Sequence, residues 1–322
     1  MDLQAAPLFD DIAPGPDGGT AWWVRASDGV RLRIAAWPKE NARGTVLLFP
    51  GRTEYVEKYG PAAQDFADRG YATLAVDWRG QGLADRLVPD VRVGHVECFS
   101  DYLADSQAAL ELAAALELPK PWHLLGHSMG GGIGLNAAME GLPVASCSFT
   151  GPMWGISMAP VVRQIGWTLA VVAPRVGMGH RLPPSTRYEN YVTRHPFEDN
   201  VLTTDREMYD MMRAQIAAHP ELALGGPTLT WLREALKATR MMAARPSPDL
   251  PCLTVLGGAE RIVDVDRVRD RMAAWPGGEL LVVPDAEHEV MMEGPEVRKL
   301  IFDRLVAHYD ASSEGRVAAR SA

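Results

Sequence analysis

Residues 121–135, PWHLLGHSMGGGIGL, set a lone serine between two glycines, directly after a short apolar run and ahead of three more glycines. Gly126-His127-Ser128-Met129-Gly130 matches GxSxG. A chain that turns from strand to helix at one residue holds that residue in a strained backbone, so its neighbours must lack bulk. Such a bend exposes the Ser128 Oγ and leaves the Met129 amide at a helix N-terminus, where it can stabilise a developing oxyanion. An ordinary glycine-rich turn is the competing reading. The apolar strand before Ser128 and the helix expected after it favour a nucleophile. Gly132-Ile133-Gly134-Leu135-Asn136-Ala137 imitates a dinucleotide-binding GxGxxA. It begins inside the expected helix rather than at a strand end, so close helix packing is the better account.

A bend of this kind needs a sheet whose strands feed helices, and the flanking sequence supplies one. TAWWVRASDGVRLRIAAWP (20–38) reads as a hairpin around Asp28-Gly29. GTVLLFPG (44–51) is a continuous apolar run, as expected of a strand buried on both faces. YVEKYGPAAQDFADRG (55–70) has helical spacing and closes on Gly70, and YATLAVDWRGQG (71–82) repeats the strand-then-glycine pattern. FSDYLADSQAALELAAALELP (99–119) reads as a helix with Ser100 as its cap. This alternation predicts an α/β fold with a mostly parallel sheet and helices on both faces. The rhythm stops after Thr150 and resumes with LPCLTVLGGAERIVD (250–264) and GELLVVPDAEHEV (278–290). Residues 1–150 and 246–310 are therefore expected to form the core, 151–245 a helical insertion, and 311–322 a frayed tail.

Composition narrows the function classes. The chain of 322 residues is 47% hydrophobic and 23% charged, with a formal net charge of −9. That charge offers no basic stripe for nucleic acid and no electrostatic pull toward an anionic membrane. Cys98, Cys147 and Cys252 lack CxxC spacing, and the acidic Pro/Gly-rich start has no secretory pattern, so a reducing, cytoplasmic setting is expected. The histidines show no HExxH, and neither a metal nor a cofactor is called for.

A serine hydroxyl needs a base to take its proton, and that base needs a carboxylate to hold its tautomer. In a sheet of this kind the chain order is serine, acid, histidine, each on a loop after a strand. His288 follows the last buried run and is the expected base. Glu260 and Asp264 both follow LTVLGG, and either can be the acid. Asp264 also stands where it could cap the helix VDRVRDRMAAW. A second oxyanion donor is expected from Pro50-Gly51-Arg52, through the Arg52 amide. His127 is expected to point away at the bend, and His180, His195 and His219 to lie on the insertion's surface.

FPGRTEYVEKY, DWRGQG, GHSMGGGIGL, GGAERIVD and PDAEHEV, in this order, resemble the monoacylglycerol lipase and lysophospholipase L2 group of α/β-hydrolases, also classed as serine aminopeptidase-like. LGGPTLTWLRE (224–234) resembles the cap of the lysophospholipase L2 branch. The likeness spans roughly residues 20–305. It implies an α/β-hydrolase fold with a helical cap, Ser128 as nucleophile, His288 as base, and the Arg52 and Met129 amides as oxyanion donors. It also places the acid at Glu260. The chain departs from the monoacylglycerol lipases in having Pro50-Gly51 where they carry His-Gly, and Glu260 where they usually have Asp. The implied substrate is a lipid ester, a lysophospholipid or monoacylglycerol, with transient contact between cap and lipid interface. The same site geometry serves carboxylesterases, thioesterases and peptidases, and a hydrolase-fold receptor would have lost part of its triad.

Overall fold

The continuous apolar runs form the middle of one sheet. In the computed structural model, which describes residues 3–184 and 186–321, the strands are β1 Gln4–Ala6, β2 Thr20–Arg25, β3 Arg31–Trp37, β4 Thr45–Phe49, β5 Ala72–Asp77, β6 Trp122–His127, β7 Ser146–Thr150, β8 Cys252–Gly257 and β9 Glu279–Val283. Their order is β1-β2-β3-β5-β4-β6-β7-β8-β9. The first three strands pair antiparallel, as does β3 with β5, and every pair from β5 to β9 is parallel. Every residue of β4 through β8 is buried, which is why these strands show no polar alternation.

The period-two geometry of a strand divides the apolar side chains between two layers. Leu47, Phe49, Leu74, Val76 and Leu124 face one layer; Val46, Leu48, Ala75, Leu125 and Val255 face the other. Helices α1 (Gly60–Asp68), α2 (Tyr102–Ala115) and α3 (Met129–Met139) follow β4, β5 and β6. Between β7 and β8 come α4 (Pro160–Arg175), α5 (Tyr191–Arg194), α6 (Arg206–Ala218) and α7 (Leu229–Ala243). The last two are α8 (Val265–Ala273) and α9 (Pro295–Ser321). Phe66 of α1 and Phe302 and Tyr309 of α9 cover one face, while Leu112 of α2, Ile133 of α3 and Met272 of α8 cover the other.

Within the insertion, Val192, Tyr209, Met212 and Ile216 cluster with Tyr55 of the core, which seats α5 and α6 over the turn after β4. Helix α7 packs back on the main core: Trp231 and Ala235 are buried there, and the Trp231 indole donates to the Tyr102 hydroxyl at 3.3 Å. Helix α4 leaves Val161, Ile165, Val172 and Val176 exposed. None of the described helices is long and apolar enough to cross a membrane.

Three local expectations change. The start of the chain adds an edge strand, β1, whose three residues are too few to carry a periodic signal. Ser100 does not cap α2; it lies in a 3₁₀ turn, Phe99–Asp101, where the Asp101 carboxylate accepts from the Cys98 amide at 3.1 Å. The stretch from 311 to 321, expected as a frayed tail, continues α9 as helix, and residue 322 lies outside the described residues.

Candidate active site

The site lies where the sheet changes direction. Strand β4 is flanked by β5 on one side and β6 on the other, so the crossovers leave in opposite senses and open a crevice at the carboxyl ends of β4 and β6. Phe49 pairs in register with Gly126. The residues that follow, Pro50-Gly51-Arg52 and His127-Ser128-Met129, are therefore neighbours.

Ser128 has φ 49° and ψ −117°, a conformation held by backbone hydrogen bonds on both sides of the peptide unit. Its amide donates to Thr150 O at 3.0 Å, and its carbonyl accepts from Gly131 at 2.9 Å and Met153 at 2.8 Å. The flanking glycines are obligatory on steric grounds. A Cβ at Gly126 would come within 2.7 Å of Gly130 O, and one at Gly130 within 1.9 Å of Phe49 O. The second clash shows how tightly α3 is pressed against the end of β4. Gly132 and Gly134 do pack closely, against Met153 O and Leu124. Among the described residues neither the Arg52 nor the Met129 amide is engaged in a turn or cap bond.

His288 Nδ1 lies 2.6 Å from Glu260 Oε2, with both side chains at most 4% exposed. A carboxylate only accepts, so Nδ1 carries the proton and Nε2 of the neutral ring is free to accept one. Glu260 Oε1 accepts from the amides of Ile262 at 2.7 Å and Val263 at 3.1 Å. Burial alone would raise the Glu260 pKa, but His288 and these two amides outweigh it and hold the carboxyl below its ordinary range. Close backbone approach makes the pairing feasible. A Cβ at Gly257 would come within 2.2 Å of Glu287 O, and Gly151, at φ 48°, lies directly beneath the His288–Glu260 pair. Asp264 has a different environment. It caps α8, accepting from the Arg267 amide at 3.3 Å, and pairs with Arg163 at 3.2 Å.

Ser128 and His288 open on one cavity of ≈ 180 Å³, walled by Arg52 and Tyr55 from the core and by Tyr191, Val192, Met212 and Ile216 from the insertion. Arg52 donates to Gly225 O at 2.8 Å and lies 5.7 Å over the Trp231 ring. Among the described residues no carboxylate lies within ion-pair distance of it, and burial lowers its pKa to about 10. His180 is exposed, as expected, whereas His195 and His219 are half-buried and stack on Tyr191 and Phe9. His127 does not turn away. It is fully buried, its ring centroid 4.9 Å from that of His288, and it meets Glu54 and Glu289, both of which pair with Lys58. The spacing of Glu54 and Lys58 and the acid directly after His288 were the available signals, each indistinguishable in sequence from an ordinary solvated charge.

The profile of a family described as "Serine aminopeptidase, S33" matches residues 40–295. Lysophospholipase L2 of Escherichia coli K12 is 32% identical over 300 residues, 88% of this chain and 85% of that protein. The monoacylglycerol lipase of Mycolicibacterium smegmatis is 29% identical over 283 residues, 85% of this chain and 91% of that one. In three dimensions the chain is similar to a soluble variant of the Saccharomyces cerevisiae monoglyceride lipase, with TM-score 0.69, 20% identity, and coverage of 90% and 94% of the two chains. That fold likeness and a family match over most of the chain join the crevice at the sheet's switch point, and on these grounds the chain belongs to the serine aminopeptidase S33 family of α/β-hydrolases.

Proposed function

We propose that the protein is a serine hydrolase that cleaves carboxylic esters through an acyl-enzyme, with a lysophospholipid as its substrate class and a monoacylglycerol as the nearest alternative. The observation that carries this reading is the His288–Glu260 pair, 2.6 Å apart, sharing one cavity with Ser128. Ser128 Oγ attacks the ester carbonyl while His288 Nε2 takes its proton, and Glu260 balances the imidazolium that forms. The amides of Arg52 and Met129 receive the oxyanion. His288 then returns the proton to the leaving alcohol, and a water activated the same way releases the acid. Residues 151–245 act as the cap over this site.

The lysophospholipid reading draws on the lysophospholipase L2 relatives and on Arg52. A guanidinium lining the cavity with no acid partner among the described residues is suited to a phosphodiester, whose oxygens would supply an anion. The exposed apolar side of α4 is the surface through which the cap meets a lipid aggregate. The three cysteines, all free, support a reducing, cytoplasmic setting.

A series of lysophosphatidylcholines, monoacylglycerols and p-nitrophenyl esters of rising chain length tests the substrate class. Lysophospholipids are expected to give the highest kcat/KM; preference for short p-nitrophenyl esters would point to a small-molecule esterase instead. Fluorophosphonate labelling tests the nucleophile. The wild type is expected to label and Ser128→Ala to stay unlabelled with its melting temperature preserved, whereas labelling of Ser128→Ala would remove the assignment.

A further inference from the structure

Beside the His288 ring the protein buries four charged side chains from three segments of the chain. Lys58 Nζ lies 2.7 Å from Glu54 Oε1 and 2.7 Å from Glu289 Oε1, with all three side chains at most 7% exposed. His127 Nε2 faces Glu289 Oε2 at 3.1 Å and Glu54 Oε1 at 3.6 Å, without a well-aligned hydrogen bond to either. His127 Nδ1 lies 3.0 Å from the Thr150 carbonyl oxygen and 2.9 Å from Thr150 Oγ1. Carbonyls and carboxylates only accept, so a ring with acceptors at both nitrogens keeps both protons. Burial would favour the neutral imidazole, but Glu289 and Glu54 outweigh it and raise the His127 pKa. Burial would also raise Glu289, yet Lys58 and His127 hold it well below the usual carboxylate range. The group therefore carries two anions and two cations and sums to zero, which is the condition for tolerating charge inside a protein. Glu54, His127 and Glu289 have the donor types of a metal site, but Lys58 Nζ already bridges both carboxylates.

Glu54, His127 and Glu289 are each attached to a different part of the active site. Glu54 Oε2 accepts from the Gly51 amide, which fixes the peptide before Arg52, and from the Tyr59 hydroxyl. A Cβ at Gly51 would come within 2.9 Å of that carboxyl. His127 precedes Ser128 in the bend. Glu289 follows His288, and its own amide donates to Leu202 O of the insertion at 2.7 Å.

We propose that Glu54, Lys58, His127 and Glu289 are positioning residues of this hydrolase: a neutral ion cluster that fixes the turn before Arg52 and sets the charge His288 meets when it takes the serine proton. This rests on reading Ser128 and His288 as nucleophile and base. His288 faces Glu260 on its Nδ1 side and the His127 ring at 4.9 Å, and Glu54, Lys58 and Glu289 line the same cavity as His288. Tyr191 of the insertion and Arg52 stand across the cavity, and Arg261 is paired with Glu287 at 2.6 Å. The two carboxylates of the cluster favour an imidazolium at His288, and its two cations oppose one. Together these four charges add no net charge beside the His288 ring.

Removing one charge breaks that balance with a sign that depends on which charge is removed. Glu289→Gln leaves one excess positive charge, disfavours the His288 imidazolium, and moves the acidic limb of the kcat/KM profile to lower pH by about one unit. His127→Gln leaves one excess negative charge and moves that limb to higher pH by about one unit. The double variant restores neutrality, and its limb returns to within about 0.3 unit of the wild type. A role confined to packing would not give opposite shifts that cancel. If either single variant does not fold, Glu54→Gln and Lys58→Met carry the same test, with downward and upward shifts respectively. Limbs that stay still, or move in the same direction, overturn the proposal while fluorophosphonate labelling of Ser128 leaves the functional reading standing. No labelling of the wild type would overturn that reading, and the proposal with it.

Discussion

Glu260 and Asp264 share the loop after β8 but meet different partners. Glu260 is buried against His288 and accepts two backbone amides, whereas Asp264 is tied to the first turn of α8 and to Arg163. Glu260→Gln keeps the shape but removes the charge that balances the histidine, so kcat should fall on the order of 10⁴-fold with little change in melting temperature. Asp264→Asn should keep kcat and cost about 1 kcal/mol or less, since asparagine also caps helices and the Arg163 partner is 42% exposed. Measuring kcat and melting temperature for both variants decides it: a collapse of kcat confined to Asp264→Asn would reverse the two roles. Both residues were visible in the sequence as candidates. What separated them was Gly151, whose missing side chain makes room for the His288–Glu260 pair, and a contact between strand ends distant in the chain cannot be read locally.

In the reading proposed above, the insertion's helices decide how much substrate the crevice admits. The cavity of ≈ 180 Å³ is smaller than the roughly 300–1,000 Å³ usual for ligand sites. Long acyl chains therefore need α5 and α6 to lift from their seat on Tyr55, as lids do. Val192 lines the cavity from α5, and Val192→Phe should fill part of the acyl path. Dodecanoate esters should lose about tenfold more kcat/KM than acetate esters, the range expected for a pocket altered by a few methylenes. Equal losses for both would mean that the acyl chain runs elsewhere. Helix α7 has a separate role: its Trp231 belongs to the main core, so the helical insertion is partly anchor and partly roof. The amphipathic pattern in sequence did not separate these uses, because burying an apolar stripe against the sheet or against a lid requires the same periodicity.

At the scale of the molecule, charge and shape set the partner. A net charge of −9 repels an anionic surface, so the contact we propose with lipid depends on the apolar side of α4. The protein should co-float with phosphatidylcholine vesicles better than with phosphatidylserine-rich ones. Ile165→Glu, at a side chain 63% exposed, should reduce that binding about tenfold by removing one buried anchor. Stronger binding to anionic vesicles, or no effect of Ile165→Glu, would remove α4 from the interface.

Short-range physics made much of this protein legible in its sequence. Short apolar runs closed by glycine or proline turns read as strands buried on both faces, the glycines around Ser128 fit a tight strand-to-helix bend, and the loss of strand rhythm after Thr150 announces a helical insertion. The order of strands in the sheet and the meeting of loops at its switch point belong to the tertiary structure, because they depend on which crossover lies on which side. So do the choice between Glu260 and Asp264 and the burial of His127 with Glu54, Lys58 and Glu289. Charged residues at those positions read as solvated until the fold removes them from water, and only then does their pairing become compulsory.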